Sequence, residues 1–307
     1  MDRNKGWRAL LTLMVVGGEE LPAGFQHEPS GSAVSAGHFH TCALRRTPKA
    51  TFGGIAHCWG FDGLGQVSMA PSRIFVQLSS GHFHTCGVTM DQKVYCWGEE
   101  RATELCPSGL FQQVSAGQFH TCGLAKDGQV RCWGDDQLVG CATPPKGTKF
   151  VQVATGNDWT CALRRNGLVV CWGNNKRGQA TPPNETRFVQ IAASTSGYHT
   201  CGITYGANDL VCWGESRKGE APVFRPGPFA QVAVGFRTTC VVPRDGATVD
   251  CFGLSGHLLA PLPIGRTWDQ ITLGRDHICA LDADGALHCR GQPTIDAARV
   301  PPGFLVA

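Results

Sequence analysis

The sequence predicts an all-β fold, a seven-bladed β-propeller with a disulfide inside each blade, and three observations lead to this prediction. Seven cysteine pairs recur at a spacing of about 40 residues, which is typical of an array with one supersecondary unit per repeat. Alternating apolar residues between glycines and prolines indicate short strands rather than helices. The two ends of the chain carry complementary parts of one repeat, as closure of a ring by the N- and C-terminal segments requires.

The cysteine pairs are the first element of this argument. In most of them the second cysteine opens a Cys-Trp-Gly triplet, usually ten residues after the first cysteine. An even set at repeated spacings predicts a disulfide framework formed in an oxidising compartment. The predicted pairs are Cys42–Cys58, Cys86–Cys96, Cys122–Cys132, Cys161–Cys171, Cys201–Cys212, Cys240–Cys251 and Cys279–Cys289.

Two of the 16 cysteines, Cys106 and Cys141, stand outside these pairs. They follow the Cys-Trp-Gly triplets of consecutive repeats at equivalent places, so we expect an eighth bond between neighbouring units. Zinc is the alternative for paired cysteines, but the intervals are longer than those of zinc sites.

The spacing within a pair predicts a β-hairpin. If Cys122 and Cys132 face each other across two strands, the loop is the three residues 126–128, and Gly128 stands where the left-handed conformation is needed. We therefore expect cross-strand disulfides. Gly167 and Gly285 occupy the same position, whereas Gln92 in the second repeat and the longer fifth and sixth loops predict different turns.

The ends of the chain predict how the ring closes. Residues 301–307 copy the start of a repeat, and residues 32–37 supply its continuation. The propeller is therefore expected over residues 31–307. Residues 1–30 are predicted to be an N-terminal extension, either a secretory signal with basic residues before the apolar stretch 9–16, or a segment packed on the array. That stretch is too short to span a bilayer.

The charge composition limits the classes of partner that the sequence predicts. The formal net charge is +3, charged residues make up 17% of the chain, and no run of five or six like charges occurs. The sequence therefore predicts no nucleic-acid or polyanion partner.

Histidines and tryptophans recur at fixed positions. The repeated histidines suggest either metal ligands or a pH switch, but we expect each to form a hydrogen bond within its own blade. Trp159 and Thr238 interrupt this set, and a second histidine precedes it at His38 and His82. The histidines are His40, His84, His120, His199 and His277.

The aromatic position after the second cysteine is expected to pack over the disulfides between blades, or else to form a platform for sugars or peptides. It is occupied by Trp59, Trp97, Trp133, Trp172, Trp213 and Phe252. Arg290 replaces the aromatic residue in the last repeat.

Other motifs are sparse. Asp91, Asp127, Asp245 and Asp284 lie at hairpin tips, where turn chemistry favours aspartate, so they are not predicted to be catalytic. No catalytic, cofactor-binding or phosphate-binding motif is found, and we expect no cofactor and no metal. Asn184 opens a glycosylation sequon in a proline-rich return.

Differences between repeats are the better guide to a contact surface. The first, fifth and sixth hairpins are longer than the others, and Arg290 departs from the repeat. The predicted partner-contact residues are Arg45, Arg46, Phe52, Tyr205, Asn208, Arg244 and Arg290.

Two segments carry a family resemblance: residues 81–88 (GHFHTCGV) and 127–134 (DGQVRCWG). They resemble repeats of the regulator of chromosome condensation superfamily, whose members form seven-bladed propellers. The cysteine-paired version is most similar to the extracellular repeats of crinkly-type plant receptor kinases and to related secreted proteins. The resemblance covers residues 32–307 and implies the fold, whereas function transfers poorly between propellers.

The predicted function is a non-catalytic, protein-binding scaffold, either secreted or in an oxidising lumen such as that of an organelle or the intermembrane space, and a subunit or accessory of a larger assembly. One alternative is a glycan-acting enzyme with a site in the central channel. Another is a nucleotide-exchange regulator, which requires reduced cysteines. Converging carboxylates or histidines at the channel mouth favour catalysis. Apolar patches with arginine and aromatic anchors favour a partner.

Overall fold

The computed structural model describes residues 32–47, 52–103, 106–135, 143–246, 248–254, 262–292, 296–302 and 304–306. The extension predicted for residues 1–30 lies outside the described residues, so the domain boundary stays a prediction. None of the helices in the described part is long and apolar enough to cross a bilayer.

The described strands form seven antiparallel meanders of three strands, which we number as blades 1 to 7. Strands β3 and β4 also pair, through Ile55 and Ile74, so blades 1 and 2 share one six-stranded sheet. The all-β propeller architecture is confirmed. The strands of blades 1 to 3, with the helix α1, are β1 Val34–Ala36, β2 His40–Arg45, β3 Gly54–Gly60, β4 Ile74–Ser80, β5 His84–Thr89, β6 Val94–Gly98, α1 Glu100–Thr103, β7 Phe111–Ala116, β8 His120–Ala125 and β9 Val130–Gly134. Those of blades 4 to 7 are β10 Phe150–Thr155, β11 Trp159–Arg164, β12 Val169–Gly173, β13 Phe188–Ala193, β14 His199–Thr204, β15 Leu210–Gly214, β16 Phe229–Gly235, β17 Thr238–Pro243, β18 Asp250–Gly253, β19 Trp268–Leu273, β20 His277–Asp282 and β21 Leu287–Gly291.

All seven predicted intra-blade disulfides are present. Each joins directly opposed residues of the second and third strands, as Cys122 and Cys132 do. The first cysteine of every pair is fully buried. The framework therefore lies inside the blades and not on their surface.

The hairpin prediction is confirmed where glycine was expected to adopt the left-handed conformation, since Gly128, Gly167 and Gly285 have φ between 81° and 84°. The expectation of a different turn in the second repeat is wrong. Gln92 has φ 63° at the same position, because an unbranched side chain tolerates this region at a modest energetic cost. The longer fifth loop does differ, with Gly206 and Asn208 both at positive φ.

Aromatic residues pack between consecutive blades, as predicted. Phe75 and Trp97 of blade 2 lie 5.7 Å apart and pack on Cys42 and Leu44 of blade 1. Blade 7 departs from this pattern because Arg290 is exposed and Trp268, on the first strand, packs instead against His288 at 5.5 Å. The interface thus keeps one large aromatic ring even where the repeat loses its tryptophan.

Glutamine side chains tie each blade to the next. In Gln77 the amide nitrogen donates to Val114 O at 2.9 Å, and the amide oxygen accepts from Val114 N at 2.8 Å. A β-bulge precedes this glutamine in every first strand from blade 2 to blade 7, and such bulges re-aim side chains. The other glutamines bonded to the next blade are Gln113, Gln152, Gln190, Gln231 and Gln270.

The repeated histidines also bond between blades, so the expectation of bonds within one blade is wrong. His84 Nε2 lies 2.8 Å from Thr121 Oγ1 of the next blade. Trp159, which interrupts the set, donates to Thr200 Oγ1 in the same way at 2.9 Å. The remaining bonds, 2.7 to 2.9 Å long, are His40–Thr85, His120–Thr160, His199–Thr239 and His277–Thr41.

The bond from histidine to threonine is missing between blade 6 and blade 7, where both of its partners are replaced. Thr238 stands at the histidine position of blade 6, and Ile278 stands at the acceptor position of blade 7. A buried donor without an acceptor costs about 1–3 kcal/mol, so losing both groups costs less than losing one.

We expect Thr239→Val to destabilise the propeller by about 1–3 kcal/mol, because it leaves the buried Nε2–H of His199 without an acceptor. Guanidinium unfolding measures this cost, with Thr267→Val at an exposed site as the matched control. The double variant His199→Phe/Thr239→Val should lose less than the sum of the single losses. Equal unfolding midpoints for Thr239→Val and the control would contradict the prediction.

The first and last blades contact each other as other neighbours do. His277 bonds to Thr41, and Gln270 bonds to the backbone of Val34. Phe304 lies 5.7 Å from Trp59, in the place that Phe75 holds beside Trp97 in blade 2. Closure by both terminal segments is the proposal that these contacts support.

Candidate binding surface at the channel mouth

The turns between the first and second strands of the seven blades lie at one end of the central channel, and we call this end the channel-mouth face. Backbone bonds link consecutive turns, such as His38 N to Gly81 O at 3.1 Å. One residue from each of these turns belongs to this face: His38, His82, Gln118, Asn157, Ser196, Phe236 and Arg275.

Glycine opens most of these turns because the blades approach too closely for a side chain. A Cβ added at Gly37 would lie 2.5 Å from Gly81 O and 2.6 Å from a ring carbon of His40. A Cβ at Gly274 would meet Gly37 O at 2.5 Å. This contact again joins blade 7 to blade 1.

The side chain of His38 crosses the channel. Its Nδ1 lies 2.6 Å from Ser196 Oγ of blade 5, and its ring stacks on His82 of blade 2 at 3.6 Å. Arg275 of blade 7 places Nη1 3.3 Å from His38 Nε2. Four blades therefore meet in one cluster at the mouth of the channel.

This cluster is not a nucleophile–base pair. A guanidinium can only donate, so His38 Nε2 accepts from Arg275 and the proton sits on Nδ1, which donates to Ser196. In this tautomer His38 cannot take the proton of the serine hydroxyl. The arrangement orders the mouth of the channel and does not activate Ser196.

The histidines of the cluster stay neutral. Burial, the neighbouring His82 and the charge of Arg275 lower the pKa of His38 to about 2. Burial and then Arg275 lower the pKa of His82 to about 4. Both groups are therefore uncharged at neutral pH, and Arg275 supplies the positive charge of the cluster.

Around the cluster, aromatic side chains occupy one side of the face. Phe61 packs edge-on against Phe39 at 6.2 Å, and Phe83 stacks on His82 at 4.3 Å. Phe61 is 44% exposed and Phe119 is 37% exposed. We call these four residues of blades 1 to 3, Phe39, Phe61, Phe83 and Phe119, the aromatic arc.

The other side of the face is polar. The position that holds Phe39, Phe83 and Phe119 in blades 1 to 3 holds Asp158, Tyr198, Arg237 and Asp276 in blades 4 to 7. Arg275 lies over the rings of both Phe39 and Phe236, at 5.3 and 5.2 Å. The cation thus marks the boundary between the two sides.

The partner-contact residues predicted from the sequence lie mainly at the opposite end, around the turns between the second and third strands, which we call the hairpin-tip face. Arg244 and Asn208 meet there, with Nη2 3.1 Å from Oδ1. Arg46 N bonds to Leu305 O, and residues 48–51 of the first hairpin lie outside the described part. The contacts predicted for Arg45, Arg46, Phe52, Tyr205, Asn208, Arg244 and Arg290 stay predictions.

Two other sequence predictions also stay untested. Asn184 is exposed in the return between β12 and β13, as a glycosylation site requires. Cys106 is exposed, and Cys141 lies outside the described residues, so the eighth disulfide stays a prediction.

Among the described residues, no group of three or more His, Cys, Asp or Glu is placed to hold a metal ion.

The sequence interpretation missed the aromatic arc because it compared hairpin lengths. The available signal was the residue directly before the histidine position of each repeat, which is phenylalanine in the first three repeats and tyrosine or charged in the four later ones. No pattern within a single repeat predicts that His38 crosses the channel.

Comparisons with known proteins agree with this architecture. The family model described as "Regulator of chromosome condensation (RCC1) repeat" matches residues 75–101, 111–138 and 150–179. The ectodomain of the receptor kinase CR4 from Physcomitrella patens is 25% identical with a TM-score of 0.72, over 85% of this chain and 73% of that one. The CRINKLY ectodomain of ACR4 from Arabidopsis thaliana is 24% identical with a TM-score of 0.71, over 88% and 98%.

Prp20p from Saccharomyces cerevisiae is more distant, at 17% identity and a TM-score of 0.63 over 81% of this chain and 83% of that one. At this identity the likeness shows the fold alone. No curated protein is significantly similar in sequence to this chain.

Proposed function

We propose that this propeller, three of whose repeats match the RCC1-repeat model, is a non-catalytic, protein-binding scaffold that works in an oxidising compartment, either secreted or lumenal. The observation that carries the proposal is the aromatic arc. Exposed aromatic rings beside an arginine are the composition of binding hot spots. The arc lies on one side of a face whose other side is polar, so it can orient a partner.

The compartment follows from the disulfides. Seven intra-blade bonds form and persist where thiols are oxidised, and such bonds are rare in the cytosol. The likeness to two extracellular receptor ectodomains supports the same assignment.

The two alternatives, a glycan-acting enzyme and an exchange regulator, are supported less well than a scaffold. A glycan-acting enzyme needs a proton donor or acceptor at the channel, whereas His38 is fixed by Arg275 and Ser196. An exchange regulator rests on the likeness to Prp20p, which shows the fold alone.

The test compares two double variants in quantitative affinity purification from the native extracellular or lumenal fraction. Phe61→Ser/Phe119→Ser removes the exposed rings of the aromatic arc. Phe224→Ser/Ile264→Ser removes side chains that are more exposed, at 58% and 94%, but lie away from the channel mouth.

We expect the arc variant to lose its stoichiometric companion, with affinity weakened by about 30-fold or more, since a hot-spot aromatic contributes about 2 kcal/mol. The control variant should retain the companion. Loss of the same companion from both variants, or from neither, would rule out the arc as the binding surface.

A further inference from the structure

Basic side chains that are far apart in sequence meet on the hairpin-tip face of blades 3 to 6. In blades 3, 5, 6 and 7 the first hairpin-loop residue bonds through its N–H to the residue that precedes the first strand of the same blade, as Tyr205 bonds to Arg187 O at 2.8 Å. In blade 4 the pairing of Phe150 with Arg164 brings the same two positions side by side. In blade 4 both are basic, Lys149 and Arg165.

The neighbouring blades extend this group. Blade 3 contributes Lys126, blade 5 contributes Arg187, and blade 6 contributes Arg244. Four of the five residues are exposed and Arg165 is partly exposed. We call Lys126, Lys149, Arg165, Arg187 and Arg244 the cationic arc.

The hairpins of consecutive blades are joined through these positions. Phe150 N bonds to Gly128 O, and Phe188 N bonds to Gly167 O, each at 2.7 Å. The aliphatic part of Lys149 packs 3.4 Å from the site of a Cβ on Gly128. Lys149 thus stands between the tips of blades 3 and 4, and Arg187 stands between those of blades 4 and 5.

Acidic groups offset part of this charge at the edge of the arc, where Asp245 and Glu185 are exposed. The tip residue that is aspartate in several blades is Asn166 in blade 4 and Gly206 in blade 5. Asp127 of blade 3 pairs with Arg131 at 3.1 Å. The centre of the arc therefore presents cations without an acidic residue at the tips.

We infer that the cationic arc binds a sulfated polysaccharide. Lysine and arginine recognise sulfate and carboxylate groups, and a row of separate cations along a curved surface fits an extended chain better than a compact ligand. Leu110 lies beside Lys126 and Tyr205 lies beside Arg187, but the cations of blade 4 separate these two apolar side chains. The arc therefore has no continuous apolar centre of the kind that a folded protein partner uses. The disulfides place the protein where nucleic acid is not the usual polyanion.

This inference rests on the oxidising compartment of the proposed function but not on its binding surface, because the cationic arc and the aromatic arc lie at opposite ends of the channel. It also differs from the sequence prediction of no polyanion partner. That prediction relied on the absence of charge runs, whereas the fold brings together cations from four repeats.

The test measures binding of a heparin dodecasaccharide to the full chain by calorimetry at several NaCl concentrations. Lys149→Gln/Arg165→Gln/Arg187→Gln removes three charges from the arc. The matched variant Arg101→Gln/Lys176→Gln/Lys218→Gln removes three exposed charges from the loops that leave the channel-mouth face.

We expect the dissociation constant of the arc variant to rise about tenfold or more, with a weaker salt dependence, because fewer counterions are released on binding. The matched variant should stay within about twofold of the unaltered chain. Equal weakening of both variants, or no binding of heparin by the unaltered chain, would overturn the inference. Poly-glutamate or single-stranded DNA binding as tightly as heparin would also overturn it, since the site would not then select sulfated polysaccharide.

Discussion

Unfolding in the presence of a thiol reductant is expected to begin at a far lower guanidinium concentration than unfolding of the oxidised protein. Each disulfide closes a loop of 10 to 16 residues. On the chain-entropy model one such bond stabilises the folded state by about 3 kcal/mol. Seven bonds exceed the roughly 5–15 kcal/mol that stabilises a typical domain, so the reduced chain should not hold the propeller.

Burial of the cysteines also affects the rate at which the disulfides are reduced. The first cysteine of each pair is fully buried, whereas most of the second cysteines are partly exposed, so mild reductant should reduce the native protein slowly by attack from the third strand of each blade. The measurement is the midpoint of guanidinium unfolding with and without dithiothreitol, followed by circular dichroism.

The control for reduction is the double variant Cys106→Ser/Cys141→Ser, which leaves all seven intra-blade bonds in place. The midpoint of this variant should still fall steeply when reductant is added, because the seven intra-blade bonds remain. Thiol labelling of the unaltered chain, denatured without reductant, reports whether Cys106 and Cys141 are joined. A midpoint of the unaltered chain that does not respond to reductant would contradict the prediction.

Acidification is expected to unfold the propeller well above the pH at which ordinary domains lose stability. Burial lowers the pKa of His40, His84 and His199 to about 3 and that of His277 to about 4. In the unfolded chain each has a pKa of 6.5, so below that pH the unfolded state binds protons that the folded state does not.

The stability that these histidines provide is therefore present above pH 6.5 and is lost as the pH falls toward their folded values. Two units below 6.5 each histidine costs about 2–3 kcal/mol, and the four together cost roughly 10 kcal/mol. Neighbouring groups shift the pKa of these histidines in both directions. Asp62 raises the pKa of His40, whereas His277 and His82 lower it.

Free energies of unfolding at intervals from pH 7.5 to 4.5 measure this loss. His199→Gln removes one titrating group and keeps an N–H that can donate to Thr239, so its stability should fall less steeply with decreasing pH. A stability curve that is flat between pH 7.5 and 4.5 would show that the buried histidines do not couple to folding.

Glutamine and histidine positions illustrate how far a repeat can be interpreted. The recurrence of His84 was visible in the sequence and predicted a hydrogen bond, whereas the recurring Gln77 was not singled out. Which partner each would take was not visible, because that partner is in the next repeat, about 40 residues away. A pattern within one repeat carries no information on how two repeats are rotated against each other.

The sequence by itself determined the number of blades, the seven disulfides, the hairpin turns at glycine and the packing of aromatic rings between blades. These features depend on local spacing, and the same spacing is repeated seven times. Only the tertiary structure decided that His38 reaches Ser196 across the channel, and that the aromatic arc and the cationic arc form at opposite ends. The physical reason is that both surfaces and the His38 contact join residues from different blades, which are distant in the chain.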